Sequence, residues 1–298
     1  MSSTLMRAVD ERGAAAKASG DLQPVVVAEQ TEIEDGGIVF QVRALSSLAA
    51  KDAVAQAPKD APAVAVPGGP RDPNFNPFLN PDPALTVGPL GDKHVVILNK
   101  FPVCDRHLVL ARREFEEQLL PLAPVDFEVL VRIMAESGGL GFYNGGTAAG
   151  ASQRHKHVQW VPAAEDNARL GRLAAGLPED LPQLATATHP RLPMKHCFVR
   201  VDCGIGAPLE ATTDALYRAY GIALETLGLK PGVDGLLPPY NLLIGDGWLF
   251  LVPRGCEHFE EISISAVNYG GTLYVRYAEQ VDVVRRAGPM QALASVGI

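Results

Sequence analysis

The sequence of 298 residues predicts an α+β fold. Strand-like runs occur as neighbouring pairs with short connections, 94–99 with 107–111 and 241–244 with 248–252. Helical stripes at residues 124–137 and 213–227 stand between such runs. A doubly wound parallel sheet would alternate strictly between strand and helix, and this chain does not. We therefore expect hairpins mixed with packed helices.

The N-terminal part combines regular and irregular stretches. Residues 1–20 are alanine-rich with loose helical spacing, which predicts a helix, and residues 23–28 and 37–42 have strand character. Residues 49–83 contain eight prolines, which excludes regular structure throughout. Two interpretations of this Pro-rich segment stay open: an interdomain linker, or a loop that folds over a ligand.

In the middle of the chain, the helix at 124–137 begins with Pro124 and ends before a glycine pair. Residues 139–143 and 156–162 predict strands on either side of a glycine-rich loop. The interval 163–193 is less patterned and is a candidate boundary between two halves of the chain.

The last third predicts a strand at 196–202, followed by the helix at 213–227. A hairpin is then expected around Gly245-Asp246-Gly247. Residues 271–277 fit a strand or a helix, and periodicity does not decide between them.

Composition limits the functional classes that are open to the chain. The formal net charge of -8 argues against a general nucleic-acid binder, which would carry a basic face. No apolar run approaches the ~20 residues that span a bilayer, and the N-terminus lacks the apolar core of a secretory signal. Four cysteines without Cys-x-x-Cys spacing predict reduced thiols in a cytoplasmic protein. Neither the cysteines nor the remaining histidines show metal-ligand spacing, so we expect no structural metal.

Residues 144–160 carry the strongest chemical signal. A loop of small residues, 145–152, leads into polar positions at His155, His157 and Gln159, which share one face if this stretch is a strand. Two histidines separated by one residue are, by themselves, more often a half-exposed strand than a catalytic site. The loop changes this, because glycines allow close approach of the backbone to a ligand and successive free N–H groups can hold phosphate oxygens. The stretch therefore predicts an anion-binding loop beside a nucleophile.

The spacing of Asn144, Gly150 and Ser152 ahead of the two histidines resembles the histidine-triad superfamily of nucleotidyl hydrolases and transferases. Gln159 at the third triad position is similar to the transferase branch. Further blocks resemble the dinucleoside tetraphosphate phosphorylases, also called ATP adenylyltransferases; they are residues 76–78, 98–103, 113–116, 155–159, 240–243 and 251–254. The likeness runs from about residue 37 to near the C-terminus.

This resemblance implies a histidine-triad-like (HIT-like) antiparallel sheet with packed helices. It implies a catalytic region over residues 1–170, which includes the Pro-rich segment, and an ATP adenylyltransferase C-terminal region over residues 190–298. The implied reaction is phosphorolysis of diadenosine tetraphosphate (Ap4A) to ADP and ATP, or its reverse, through an adenylylated His157, with His155 and Gln159 in support. The implied substrate-binding residues are Lys51, Asp92, Lys93, Lys100, Asn144, Gly150, Ala151, Ser152, Gln153, Ser263, Ile264, Ser265, Thr272 and Arg276.

Two other functions stay open. Uridylyltransferases acting on sugar phosphates share the active-site row, although their pattern has prolines where this chain has Lys156 and Val158. A nucleotide-binding regulator could keep the fold without turnover. The expected partners are Ap4A, ATP, ADP and phosphate, with no nucleic acid and no membrane, for a monomer or small homo-oligomer. Any Mg²⁺ would accompany the substrate phosphates rather than occupy a dedicated protein site.

Overall fold

The computed structural model describes residues 4–45, 76–178 and 180–298. The strands of this part are β1 (Val27–Asp35), β2 (Ile38–Leu45), β3 (Thr86–Leu90), β4 (His94–Leu98), β5 (Leu108–Arg112), β6 (Leu140–Gly145), β7 (His157–Val161), β8 (Thr186–Ala187), β9 (Cys197–Arg200), β10 (Tyr240–Gly245), β11 (Trp248–Pro253), β12 (His258–Phe259), β13 (Ile262–Ser263) and β14 (Thr272–Val275). The helices are α1 (Thr4–Ser19), α2 (Pro124–Ser137), α3 (Leu170–Ala174), α4 (Leu209–Leu227), α5 (Ala266–Tyr269), α6 (Glu279–Ala287) and α7 (Pro289–Ser295).

The larger sheet has nine strands in the order β3-β4-β5-β7-β6-β10-β11-β9-β8. Every neighbouring pair runs antiparallel. The same connection occurs twice, as β4-β5-α2-β6-β7 and again as β8-β9-α4-β10-β11. The two copies meet where β6 pairs with β10. The predicted hairpins are therefore parts of one continuous sheet, and the α+β fold class is confirmed.

One face of this sheet is covered by α2 and α4, which contact each other. α2 has the predicted bounds, because Pro124 supplies a first-turn residue that needs no N–H partner. Val158 and Trp160 of β7 belong to the core beneath these helices. Side chains alternate between the two faces of a strand, so His157 and Gln159 lie on the opposite face.

That opposite face is covered by a second sheet and by the C-terminal helices. The second sheet contains β1, β2 and β14, and β14 runs parallel to β2. The core on this side includes Phe40, Phe142, Leu243, Phe250 and Tyr269. Residues 272–275 are thus a strand, which settles the ambiguity at residues 271–277.

Some predicted bounds differ from the observed ones. The strand predicted at 23–28 begins only at Val27, because the N–H groups of Gln23 and Val25 donate instead to carbonyls of the 100–102 turn. The helix predicted from residue 213 begins at Leu209, directly after Pro208. In the weakly patterned interval 163–193, the residues that the structure describes form only the short α3 and the two-residue β8. Among the described helices, none is long and apolar enough to cross a membrane.

Candidate active site

His157 begins β7 and is 4% exposed. Its Nδ1 lies 2.8 Å from the carbonyl oxygen of His155, so Nδ1 carries the proton and donates it, while Nε2 keeps its lone pair. No protein group in the described residues bonds Nε2. Burial lowers the pKa of His157 to about 4, although the bond to the carbonyl acts in the opposite direction. The ring is therefore neutral near pH 7, which is the state required of a nucleophile.

Gln159 follows on the same face, and it contacts a residue that the sequence analysis did not select. Val109 of β5 lies opposite Gln159, so His107, two residues earlier, is its diagonal neighbour. Nε2 of His107 is 3.0 Å from Oε1 of Gln159. Burial lowers the pKa of His107 to about 4. The carboxamide nitrogen of Gln159 has no protein partner in the described part of the chain, so it is the end open to a ligand.

His155 lies just before β7 instead of within the strand, in an isolated bridge opposite Glu117. Its Nε2 is 2.8 Å from the carbonyl oxygen of Arg112, and its Nδ1 is 3.1 Å from Oδ1 of Asn76. Burial lowers the pKa of His155, and the carbonyl at Nε2 works against this shift. Both ring nitrogens are occupied, so this residue orients the site: its own carbonyl anchors the ring of His157.

Aromatic side chains surround the two histidines. The ring centroid of Phe78 is 4.9 Å from that of His157 and 5.9 Å from that of His155. Phe115, which is 47% exposed, approaches His155 edge-on at 5.6 Å. Phe78 belongs to the Pro-rich segment. The described end of that segment therefore lies against the histidines, as expected of a loop that folds over a site. Residues 46–75 fall outside the described part.

The glycine-rich loop closes on itself through a 3₁₀ turn (Thr147–Ala149). The N–H groups of Gly150 and Ala151 donate to carbonyl oxygens within this turn, at 2.9 and 3.0 Å. These two N–H groups are therefore used within the turn, and phosphate binding by Gly150 and Ala151 stays a prediction. The N–H groups of Ser152 and Gln153 have no acceptor among the described residues, and the Ser152 side chain is exposed. The backbone donors of this loop that are open to a ligand thus begin at Ser152.

The segment 263–265 touches this loop from the C-terminal half. A Cβ atom on Gly150 would lie 2.9 Å from Cβ of Ser265 and 3.1 Å from the carbonyl oxygen of Ile264. Gly150 also has φ 85°, a conformation that favours glycine. Ser263 donates its hydroxyl to the carboxylate of Glu257 at 2.9 Å. The structure therefore brings together two of the segments that the resemblance implicates.

Thr272 and Arg276 lie farther along this half. Thr272 is fully buried in β14, and its Oγ1 is a buried atom without a hydrogen-bond partner in the described residues. The backbone N–H of Arg276 donates to Oε1 of Gln280 at 2.8 Å. No described hydrogen bond or ring contact joins Thr272 or Arg276 to the histidines, so their predicted roles rest on resemblance.

Asn144, at the end of β6, is held by the C-terminal half. Its Oδ1 accepts the backbone N–H of Ala266 at 2.8 Å and the amide N–H of Asn241 at 2.9 Å. A backbone N–H can only donate, so the oxygen position is fixed and the nitrogen is left for a ligand. Asn241 also donates to the carbonyl oxygen of Ala149 at 2.8 Å, and it accepts a bond from the buried Arg254.

Gln118 joins the two strands where their pairing ends. β6 and β7 pair only as far as Phe142 opposite Gln159. Beyond that point, Nε2 of Gln118 donates to the carbonyls of Asn144 at 2.9 Å and His157 at 3.2 Å. Its Oε1 accepts the N–H of His157 at 2.9 Å. Gln118 therefore replaces the missing ladder bonds and lets the strands separate around the loop.

The predicted substrate-binding lysines Lys93 and Lys100 have different neighbours. Asp92 and Lys93 line a cavity of about 290 Å³ with Arg112, Arg113, Glu114 and Glu116. The cavity is lined by three acidic and three basic side chains, so it is not a cationic clamp. Nζ of Lys100 lies 5.8 Å from the ring centroid of Phe101, and Lys51 falls outside the described residues.

The cavity is linked to the histidine row through Arg112. Its guanidinium bonds both oxygens of Asp126, at 2.7 and 2.9 Å, and Asp126 also contacts Nε2 of the buried His94 at 3.0 Å. Arginine and carboxylate paired in this bidentate way hold each other rigidly. The carbonyl of Arg112, which His155 contacts, is consequently well fixed.

Within residues 4–45, 76–178 and 180–298, no group of three or more histidine, cysteine, aspartate or glutamate side chains is placed to hold a metal ion. All four cysteines are free thiols.

Two family models match the chain. The Ap4A phosphorylase N-terminal domain matches residues 1–171, and the ATP adenylyltransferase C-terminal domain matches residues 190–298. The chain belongs to the Ap4A phosphorylase family.

Relatives within this family come from the yeast Saccharomyces cerevisiae. Protein APA1 is 27% identical over 228 residues, covering 68% of this chain and 70% of the relative. Diadenosine tetraphosphate phosphorylase 2 is 27% identical over 236 residues, covering 70% of each. The crystal structure of yeast Ap4A phosphorylase Apa2 superposes with a TM-score of 0.79 at 22% identity, covering 100% of this chain and 98% of Apa2. The HIT-like fold is thereby confirmed.

In this member of the Ap4A phosphorylase family, four side chains that hold His157, Gln159 and Asn144 in place, directly or through one another, were not predicted from the sequence. These are His107, Gln118, Asn241 and Arg254. Asn241 and Arg254 lie in the blocks 240–243 and 251–254, which resemble the family, and this resemblance was the sequence signal that could have identified them. Gln118 carries no such signal, because its partners are 26 and 39 residues away and no periodic pattern marks them.

Proposed function

We propose that the protein catalyses reversible phosphorolysis of Ap4A, converting Ap4A and phosphate to ADP and ATP. The observation that carries the proposal is a buried, neutral His157 whose Nδ1–H is held by a backbone carbonyl, while Nε2 bonds no described protein group and Gln159 follows on the same face of the strand. The yeast enzyme Apa2, which shares the fold, has been crystallised with AMP and with Ap4A.

The proposed first step is attack of Nε2 of His157 on an α-phosphorus of Ap4A. A P–N bond forms as the bridging P–O bond breaks, and ATP leaves with the bridging oxygen. In the second step, an oxygen of inorganic phosphate attacks the adenylylated histidine, which releases ADP and restores the lone pair on Nε2. Two such displacements replace one difficult transfer, which is the general advantage of covalent catalysis.

Donors around the reacting phosphorus would stabilise its oxygens. We assign this role to the amide N–H groups of Gln159 and Asn144 and to the backbone N–H groups of Ser152 and Gln153. Fixed donors of this kind act most strongly in a buried site, where water does not compete.

Gln159 also affects whether water or phosphate attacks the adenylylated histidine. A carboxamide donates hydrogen bonds but does not take up or release a proton at neutral pH. Water must lose a proton when it attacks, whereas phosphate arrives as an anion. We infer that the site favours phosphorolysis over hydrolysis for this reason.

The remaining assignments are proposals of the same kind. We propose residues 1–170 as the catalytic region and 190–298 as the region that completes the nucleotide site, with Ser263, Ile264, Ser265, Thr272 and Arg276 facing the second nucleotide. We propose that Mg²⁺ enters only with the substrate phosphates, since it keeps several waters and favours phosphate oxygens. Four free thiols are compatible with a cytoplasmic location.

Incubation with Ap4A and ³²P-labelled phosphate tests the proposal. The label should appear in the β-phosphate of ADP, with unlabelled ATP formed in equal amount and no products without phosphate. ATP and AMP formed without phosphate would indicate a hydrolase. Turnover only with a sugar phosphate and its nucleotide donor would indicate a sugar nucleotidylyltransferase, and tight binding without products would indicate a regulator.

The nucleophile is tested by trapping. Protein denatured during turnover should carry one adenylyl group on His157, and His157→Ala should lose both the adduct and the turnover while still binding Ap4A. His196→Ala is a matched control, because His196 is also buried but its described contacts are with Phe198, Phe250 and the backbone of His189 and Met194, not with the His157 row. Retained turnover in His157→Ala would remove the assignment.

A further inference from the structure

We propose that His107, supported by Asn99, is a positioning residue that keeps the amide N–H of Gln159 turned toward the reacting phosphoryl group. The proposal rests on the proposed function above and adds what determines the direction of the Gln159 side chain. Its basis is a chain of hydrogen bonds whose direction is fixed at one end.

The chain begins at a backbone group. The N–H of Phe101 lies 3.1 Å from Oδ1 of Asn99. A backbone N–H can only donate, so the oxygen of Asn99 must face Phe101 and its NH₂ group must face the other way. Nδ2 of Asn99 is nearly equidistant from the two ring nitrogens of His107, 3.4 Å from Nδ1 and 3.3 Å from Nε2.

The His107 ring continues the same donor-to-acceptor direction toward Gln159. A neutral imidazole has one N–H donor and one acceptor lone pair. Asn99 presents donors, so it needs the acceptor, and Nε2 is already within 3.0 Å of Oε1 of Gln159. We therefore place the lone pair on Nδ1, toward Asn99, and the proton on Nε2, toward Gln159. Burial keeps the ring neutral, because it lowers the pKa of His107 to about 4.

This protonation state of His107 determines the orientation of the Gln159 carboxamide. With Oε1 held by His107, the NH₂ group is left for the ligand side, where no described protein group contacts it. The terminal torsion of glutamine is broad, so an unheld amide could turn by half a rotation at small cost. It would then present an oxygen, instead of N–H, to an anionic phosphoryl group.

Neither residue is among those that the resemblance assigns to the substrate. Asn99 belongs to the block Leu98-Asn99-Lys100-Phe101-Pro102-Val103, and His107 directly precedes β5, the strand that pairs with β7. Both lie in the connection between β4 and β5, and His107 contacts Gln159 from there. The block therefore has a role that is independent of the lysine within it.

A set of four variants tests the proposal through the rate of Ap4A phosphorolysis. His107→Leu removes the donor, and we expect kcat to fall by about 10- to 100-fold, since losing or misplacing one fixed donor has effects of this order. His107→Gln can again donate an N–H to Oε1, so it should recover most of the loss. The double variant His107→Leu/Gln159→Ala should be no slower than Gln159→Ala alone, because His107 acts only through Gln159.

A merely structural role gives different results. Losses that multiply in the double variant, or equal losses in folded His107→Leu and His107→Gln, would overturn the proposal. His196→Leu is the control for removal of a buried histidine, and it should leave kcat within about twofold if it folds, since distant sites act independently.

Nitrogen-15 NMR of the histidine rings supplies a readout that does not need activity. The wild-type His107 should be the Nε2–H form, with its N–H protected from exchange, and Gln159→Ala should remove this protection. An Nδ1–H form would overturn the proposal even in an active enzyme. If wild type did not turn over Ap4A, the proposed function would fail, while the NMR result would still decide the direction of the hydrogen bond.

Discussion

Replacing Gln118 by methionine should loosen the reacting histidine without opening a cavity. Methionine has nearly the volume and flexibility of glutamine but none of its donors or acceptors. The substitution therefore isolates the three hydrogen bonds that Gln118 makes to the backbone of Asn144 and His157.

The size of the effect follows from burial. Gln118 is 2% exposed, so water cannot readily replace its partners. Three lost bonds at about 1 kcal/mol each, with buried N–H and C=O groups left unpaired, give a loss of roughly 3 kcal/mol in the free energy of unfolding. Because the N–H of His157 is one of these groups, its ring should also lose its fixed position, and adenylylation should slow.

Urea unfolding and single-turnover adenylylation measure the two effects. Gln183→Met is the matched control, since exposed Gln183 accepts only one bond, from the N–H of Asp202, and substitution there should stay within about 0.5 kcal/mol. Gln118→Met with less than 1 kcal/mol of destabilisation and an unchanged adenylylation rate would refute the reasoning.

Three further changes have defined outcomes. Because burial lowers the pKa of His157 to about 4, kcat/KM should stay level from pH 8 to about 5, and an inflection near pH 6.5 would contradict a buried ring. The unfolded protein binds a proton on this ring at a higher pH than the folded protein does. The contribution of His157 to the free energy of unfolding should therefore decline as the pH falls from 6.5 toward 4. Gly150→Ala should lower the free energy of unfolding, measured in urea, by about 1–3 kcal/mol and should raise KM for Ap4A. The reason is that φ is 85° and the new methyl group would lie 2.9 Å from Cβ of Ser265. A variant as stable as the wild type would contradict this. Asn241→Ala should lower kcat by roughly tenfold, the effect of about 1.4 kcal/mol, because it removes one of the two hydrogen bonds that hold the side chain of Asn144. An unchanged kcat would separate Asn144 from the reaction.

Local patterns were sufficient for much of the fold. Pro124–Ser137 has both its apolar stripe and its end signals within fourteen residues, and the observed helix has the predicted bounds. The hairpin of β10 and β11 follows from Gly245-Asp246-Gly247, where Asp246 has φ 50° and Gly247 has φ 81°. The face shared by His157 and Gln159 follows from the period of two in a strand.

Long-range pairing was not predictable in the same way. His107 and Gln159 are 52 residues apart, and Asn144 and Asn241 are 97 residues apart. These contacts depend on the order of strands in the sheet, which neither composition nor periodicity specifies. Likewise, only the turn geometry shows that the N–H group of Gly150 is used inside the loop.

The two copies of the repeated arrangement differ in the side chains of their corresponding strands, β7 and β11. β11 occupies the place in the second copy that β7 occupies in the first, yet its side chains on the shared face are apolar: Trp248, Phe250 and Val252. No nucleophile can arise there, and these residues form a core instead.

That core fixes the strand that carries Asn241. Arg254, at the end of β11, binds Asn241 and also the carbonyl of Val296 near the C-terminus, at 3.1 Å. Asn241 then holds Asn144 across the β6–β10 pair. The side chain of Asn144 is thus held by residues of the second copy, the half of the sheet whose strand β11 is apolar on this face.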